Sequence, residues 1–188
     1  AVAEPDVRAV FDRACAVVAD VLDADVVSLL LEDATDRDEL RLVAGVGFRD
    51  GDVGLHRVPA GARSMAGGTL RRHEAEQGAA RDPFAAERRF EPPWLLLELG
   101  VTTGVAAVLR PDARAVGTLS AYRRSGRPFT PDEVNVLQSI ANLVTRAIER
   151  DEARLALSRL ALTDQLTGLP NRALFRDRLL QVLARRRP

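Results

Sequence analysis

The sequence predicts an α+β fold: a central antiparallel sheet flanked by helices, with one long helix toward the C-terminal end. Three observations predict it. Two pairs of apolar runs, 26–31 (VVSLLL) with 40–46 (LRLVAGV) and 101–109 (VTTGVAAVL) with 115–122 (AVGTLSAY), are each joined by a short polar or Pro-containing connection, which is hairpin patterning. Residues 6–22 repeat apolar side chains at spacings of three and four, as an amphipathic helix does. From Pro131 no glycine or proline occurs until Gly168, so one helix can run over 131–162, about 48 Å at 1.5 Å per residue. Strands that come as hairpins between helices, rather than alternating with them, favour an antiparallel sheet.

In chain order, Val7, Val10, Phe11, Ala14, Val17, Val18 and Val21 form the apolar stripe of the first helix, and Asp23-Ala24-Asp25 interrupts it. The stretch Glu32 to Glu39 is the turn of the first hairpin. Residues 47–100 are broken by Gly47, Gly51, Gly54, Gly61, Gly67, Gly68 and Gly78; a short strand near 55–58 and a helix near 62–72 are expected, then an irregular stretch to Pro93. Trp94 to Leu99 is expected as a short helix with Gly100 at C′. Thr130-Pro131-Asp132-Glu133 is a strong helix start: Thr130 as N-cap, Pro131 at N1 and Glu133 reaching back as a capping box. Leu137, Ile140, Val144 and Ala147 then alternate threes and fours, which fits both core packing and a dimer seam. Asp151 breaks the series, and Leu155 and Leu162 resume it after a four-residue skip, a stutter. Beyond Arg150 a partner helix is the expected reason for the leucines.

Composition excludes several classes. The 188 residues, 46% hydrophobic and 29% charged, suit a soluble domain with additional pieces. The 27 basic residues, all arginine, balance 27 acidic ones, so no global field draws nucleic acid or an anionic membrane. The absence of lysine is read as coding bias in a GC-rich genome. A single cysteine, Cys15, rules out an intrachain disulfide and favours the cytoplasm. No apolar run has the length of a membrane span, and no signal-peptide pattern is present. The missing initiator Met and the terminal Arg185-Arg186-Arg187-Pro188 are read as the cut ends of a longer protein.

Residues 163–175 (TDQLTGLPNRALF) resemble the start of GGDEF (diguanylate cyclase) domains, whose pattern Asp-x-Leu-Thr-x-Leu-x-Asn-Arg is met by Asp164, Leu166, Thr167, Leu169, Asn171 and Arg172. The resemblance implies a relay turn in which Asp164, Thr167, Asn171 and Arg172 are structural, Asp164 and Arg172 supporting each other. The GGDEF signature and the family's metal-binding aspartates are not among these residues, so no cyclase active site, and no catalytic residue, is expected in 164–188. Residues 6–150 resemble a GAF domain. VVSLLLED with LRLVAGVGF is similar to its first hairpin, and residues 100–149, with Phe129-Thr130-Pro131-Asp132-Glu133 opening the last helix, to its ending. A PAS domain accounts less well for the first helix and this ending.

GAF domains hold small molecules between the sheet and the irregular middle segment. By that resemblance Met65, Phe84, Phe90 and Trp94 are candidates for apolar walls, and Ser28 and Thr103 for hydroxyls from the sheet, against ordinary packing under a loop. The residues carry no signature for bilin, haem or cyclic nucleotide. Cys15 has no adjacent histidine and reads as a small core residue, the chain has no lysine for the cyclic-nucleotide motif, and His56 and His73 lack ligand spacing. One cysteine is too few for a GAF-type methionine sulfoxide reductase.

The expected organisation is a GAF-like sensory domain over 1–150, a signalling-helix extension over 151–163 and the start of a GGDEF domain over 164–188. The expected function is that of a sensory, regulatory and dimerising module of a cyclic-di-GMP signalling protein, relaying ligand or redox state through a helix to a GGDEF domain. It is expected to be a homodimer through its N- and C-terminal helices, to bind a small molecule, and to have no nucleic-acid partner. This segment is expected not to be an enzyme, within a full-length diguanylate cyclase or GGDEF-EAL protein. The alternative is a ligand-free GAF scaffold that serves only dimerisation.

Overall fold

A computed structural model describes residues 6–33, 35–61, 66, 94–111 and 114–162. The expected helix near 62–72 lies largely outside them, as do Met65, Phe84, Phe90 and the whole relay turn with Asp164, Thr167, Asn171 and Arg172. The described elements are α1 (Val7–Val21), β1 (Val26–Glu32), β2 (Glu39–Val46), β3 (Arg57–Pro59), α2 (Trp94–Glu98), β4 (Thr103–Leu109), β5 (Gly117–Arg123) and α3 (Pro131–Leu162). The strands form one antiparallel sheet in the order β3-β2-β1-β5-β4. By packing, the chain divides into Ala1–Ile148 and Glu149–Pro188.

One face of the sheet carries the main core. Phe11, Cys15 and Val18 of α1 and Leu137, Ala141, Val144 and Ile148 of α3 pack there on Val27, Leu29, Val105, Ala107, Leu109, Leu119 and Ala121. The stripe that fitted both core and dimer seam is thus resolved for Leu137 and Val144, which are buried in the domain's own core. Every contributing residue of β1, β4 and β5 is odd-numbered, as the two-residue period of a strand requires. Even-numbered residues of the same strands face the other layer: Val26, Ala106 and Tyr122 pack with Leu96 and Val101, and Leu30 and Val108 with Leu40, Leu42 and Val58.

In β2 the parity changes partway. A bulge shifts the register between Leu29 and Leu30, so Leu29 faces Ala44 while Leu30 faces Leu42. Leu40 and Leu42 therefore lie on the α2 side and Ala44 in the main core. The β1–β2 hairpin closes on Asp33, whose carboxylate accepts from the Thr35 amide at 2.8 Å and from Arg57 Nε at 3.0 Å. The Thr35 hydroxyl and amide, then Arg57, hold it well below the usual carboxylate range.

The start of α3 is built as the sequence predicts. The Glu133 amide donates to Thr130 Oγ1 at 3.2 Å and the Thr130 amide to Glu133 Oε2 at 2.7 Å, a reciprocal capping box. Gly100 has φ 68°, the left-handed conformation expected of the residue that ends α2. In the second unit, Leu155 and Leu157 of α3 are exposed, and Arg154 pairs with Asp151 at 2.9 Å.

Candidate functional site

The sheet face opposite α1 holds a recess. On the sheet it is lined by Ser28 and Leu30 of β1, Leu42 of β2, Val58 of β3 and Tyr122 of β5, and around them by Phe48, His56, Ala66 and, from α2, Leu95 and Leu96. The room inside it is small, about 30 Å³, well below the ~300–1,000 Å³ usual for small-molecule sites. Phe48 reaches it because Gly45 has no side chain: a Cβ there would stand 2.7 Å from the Phe48 ring and 2.8 Å from the Val27 carbonyl oxygen.

This face of the sheet carries hydroxyls. Ser28 pairs directly with Ser120 across the β1–β5 ladder, and Thr118 pairs with Leu30. Ser28, Thr118 and Ser120 are all buried, and among the described residues their hydroxyl oxygens make no hydrogen bond of full geometry, although those of Ser28 and Ser120 lie beside the Tyr122 phenol. Burial pushes the Tyr122 phenol up, while the neighbouring Ser28 and Ser120 hydroxyls pull the other way. An unsatisfied buried hydroxyl costs about 1–3 kcal/mol, so the Tyr122 phenol beside Ser28 and Ser120 matters to this face of the sheet.

Of the sheet hydroxyls expected at a site, Ser28 lines the recess and Thr103 does not. Thr103 Oγ1 donates to the Arg127 carbonyl at 3.1 Å, and its odd position places it with Val105 and Ala107 on the helix side of β4. Trp94 begins α2, and its side chain lies outside the described residues. Tyr122, Phe48 and His56 were missed. Tyr122 sits in an apolar strand where nothing local tells its face, and Phe48 and His56 fall in a glycine-interrupted stretch without periodicity. His56, which lines the recess, was read only as a lone histidine without ligand spacing. Cys15 is fully buried in the main core, where burial, then Asp12, raises its thiol to about 12.

On the reverse of β5, directly beside Tyr122, Arg123 is 1% exposed. It donates to the carbonyl oxygens of Leu22, Asp23 (3.2 Å) and Pro128 (3.3 Å), pairs with Glu133 at 2.6 Å and lies 3.9 Å from the Phe129 ring centroid. One guanidinium thus joins the end of α1, the end of β5 and the first turn of α3. Burial would raise the Glu133 carboxyl, but hydrogen bonds from Arg123 and the Thr130 amide, with the charges of Arg123 and Arg127, outweigh it and bring it to about 2. A second tie joins β4 to α3: the Arg110 amide donates to Thr145 Oγ1 at 3.3 Å, and that hydroxyl donates to the Ala141 carbonyl at 2.9 Å.

A five-stranded antiparallel sheet with its core helices on one face and an apolar recess on the other defines an α+β domain rather than a barrel or a doubly wound fold. The chain belongs to the GAF domain family, whose model matches residues 6–148. The diguanylate cyclase DgcP of Escherichia coli (strain K12) is 37% identical over 82 residues, which cover 39% of this chain and 24% of that protein; the chain therefore matches about a quarter of its relative's length. Among solved structures, the GAF domain of a phosphoenolpyruvate-protein phosphotransferase from Coxiella burnetii aligns with TM-score 0.69 at 18% identity over 82% of this chain and 89% of that one. The second GAF domain of DevS from Mycobacterium smegmatis aligns with TM-score 0.62 at 18% identity, covering 81% and 99%. A type II free methionine-R-sulfoxide reductase from Thermoplasma acidophilum aligns with TM-score 0.61 at 15% identity, covering 77% and 93%. At these identities the likeness is one of fold. Among the described residues no helix is long and apolar enough to cross a membrane.

Proposed function

We propose that this chain is the sensory and dimerising module of a cytoplasmic cyclic-di-GMP signalling protein, relaying the occupancy of the recess through α3 to a GGDEF domain that begins at Asp164. The observation that carries the reading is the pair of consecutive residues on β5: Tyr122 faces the recess and Arg123, on the other side of the sheet, holds the first turn of α3 through Glu133. In this reading a ligand that shifts β5 at Tyr122 also shifts the backbone that carries Arg123. The resemblance of residues 163–175 to a GGDEF start and the similarity to a diguanylate cyclase support the output assigned to it. In this reading Asp164, Thr167, Asn171 and Arg172 shape the turn that receives the helix, and the segment itself performs no catalysis.

Dimerisation is assigned to α1 and α3, which share one face of the sheet and leave Val17, Val21, Val136 and Leu143 exposed. Beyond Arg150 the exposed Leu155 and Leu157 are assigned to a partner helix, with the stutter at Asp151 as the place where a change in helix pairing is absorbed. Sedimentation equilibrium of the 188-residue chain tests this: a dimer is expected, weakened by Leu143→Glu. A chain that stays monomeric at the highest attainable concentration removes the relay. The second reading is a scaffold that dimerises without a ligand, which the small room in the recess, about 30 Å³, favours.

A further inference from the structure

We propose that α3 pairs with the α3 of a second copy, in parallel, along the line of Val136, Leu143, Arg150 and Leu157, with arginine built into the seam. This rests on the dimer reading above and adds the residues that meet between the two helices.

Burial decides which line of α3 is free for a partner. Leu137, Ala141, Val144 and Ile148 are taken by the domain's own core. Val136 and Leu143, each one residue earlier than a core residue, are 36% and 64% exposed. Steps of seven from Leu143 reach Arg150 and Leu157, both exposed. Ile140, Ala147 and Arg154 fall between, so this line alternates fours and threes from 136 to 157 with no skip, as a coiled-coil seam does. Leu155 is two residues from Leu157, about 200° round a helix of 3.6 residues per turn, so one straight pairing cannot take both.

Charge decides the orientation. In a parallel pair with this seam, the flanking positions that meet are Arg146 of one helix and Asp151 of the other, which are opposite in sign. An antiparallel pair sets each flank against itself and loses that match. Asp151 also lies 2.9 Å from Arg154 of its own helix, so it partly neutralises a seam arginine while it faces Arg146. Arg150 and Arg154 in the seam weaken the pair and fix its register, as polar residues at core positions of a coiled coil do. Leu155 meets a partner only in a turned pairing, in which Asp151, four residues before it, takes the place of Arg150.

Two measurements on the whole chain test the seam. The first is disulfide cross-linking of Leu157→Cys and Leu155→Cys under mild oxidation; the native Cys15 is fully buried and does not compete. Leu157→Cys is expected to cross-link roughly tenfold or more faster, because a disulfide forms only where the two side chains face each other closely. The second is dimer affinity by sedimentation equilibrium. Arg150→Leu is expected to tighten the dimer roughly tenfold or more, since it puts an apolar residue in the seam, and Glu152→Leu, off the seam, to leave it unchanged. Leu155→Cys cross-linking as fast as Leu157→Cys, Arg150→Leu without a gain, or an equal gain from Glu152→Leu overturns the proposal. If the chain is a dimer that cross-links through Leu155, the dimer reading stands and this seam fails. If the chain is a monomer with no cross-link at either position, both fail.

Discussion

Arg123 and Glu133 form an ion pair at 2.6 Å in which the arginine is 1% exposed and the glutamate also closes the capping box of α3. The same carboxylate therefore takes the charge of a buried guanidinium and the amide of Thr130. Local helix chemistry and long-range sheet packing meet at one side chain.

Replacing Arg123 removes the only group that the Leu22, Asp23 and Pro128 carbonyls share among the described residues. Arg123→Met is expected to destabilise the domain by about 3–5 kcal/mol, the usual consequence of breaking a buried pair from one side. Urea unfolding followed by circular dichroism reads it. A loss under about 1 kcal/mol means the pair is not the clasp described here.

The Glu133 carboxyl is lowered from 4.5 to about 2 in the folded chain. A group with a depressed folded value contributes stability above its unfolded pKa and loses it as pH falls through the folded one. Its contribution is thus whole above about pH 4.5 and declines toward pH 2. Glu133→Gln is expected to lower stability at pH 7 and to flatten the acid side of a stability–pH curve. Asp33, held low by Thr35 and Arg57, keeps a share of the acid sensitivity in that variant. A variant curve parallel to the parent's contradicts the assignment.

Gly45 lies where a methyl group meets the Phe48 ring at 2.7 Å and backbone at 2.8 Å. Gly45→Ala is expected to destabilise by about 1–3 kcal/mol, as overpacking does, and to displace Phe48 from the recess. Thermal unfolding gives the first effect. The aromatic proton shifts of Phe48 give the second, and shifts unchanged from the parent would show that the backbone yields instead of the ring.

Cys15 is fully buried with its thiol raised to about 12, so little thiolate exists near neutral pH. Native protein is expected to react with a thiol reagent only on the timescale of opening, and at once in denaturant. Rapid, complete modification of the native chain contradicts its place between α1 and the sheet.

Much of the fold is legible locally. Thr130, Pro131 and Glu133 announce the start of α3 because a cap is made by residues three apart, and it forms as their order predicts. The hairpins were legible because polar, Asp- and Pro-containing connections separate β-rich runs. The faces of the strands were not. β4 and β5 are buried along their whole lengths, so the polar–apolar alternation that normally marks a face is absent. That is why Thr103 was expected in the recess and lies on the other side, while Tyr122, in the recess, gave no signal. Arg123 fell just past the expected end of its strand; a charged residue beside an apolar run was a signal that the strand continued to a buried partner.

By itself the sequence determined the class of fold, the order of the elements, the cap of the long helix and the family to which residues 6–148 belong. The cap and the elements rest on neighbours within a turn or a hairpin, and the fold class and the family on the order of those pieces along residues 6–148. Only the tertiary structure decided which side of the sheet each strand residue faces, that Leu137 and Val144 belong to the domain's own core, and that Arg123 reaches three elements at once. Those depend on ladder register and on contacts between residues as much as a hundred positions apart, such as Arg123 with Leu22 and Asp23, which no local pattern encodes.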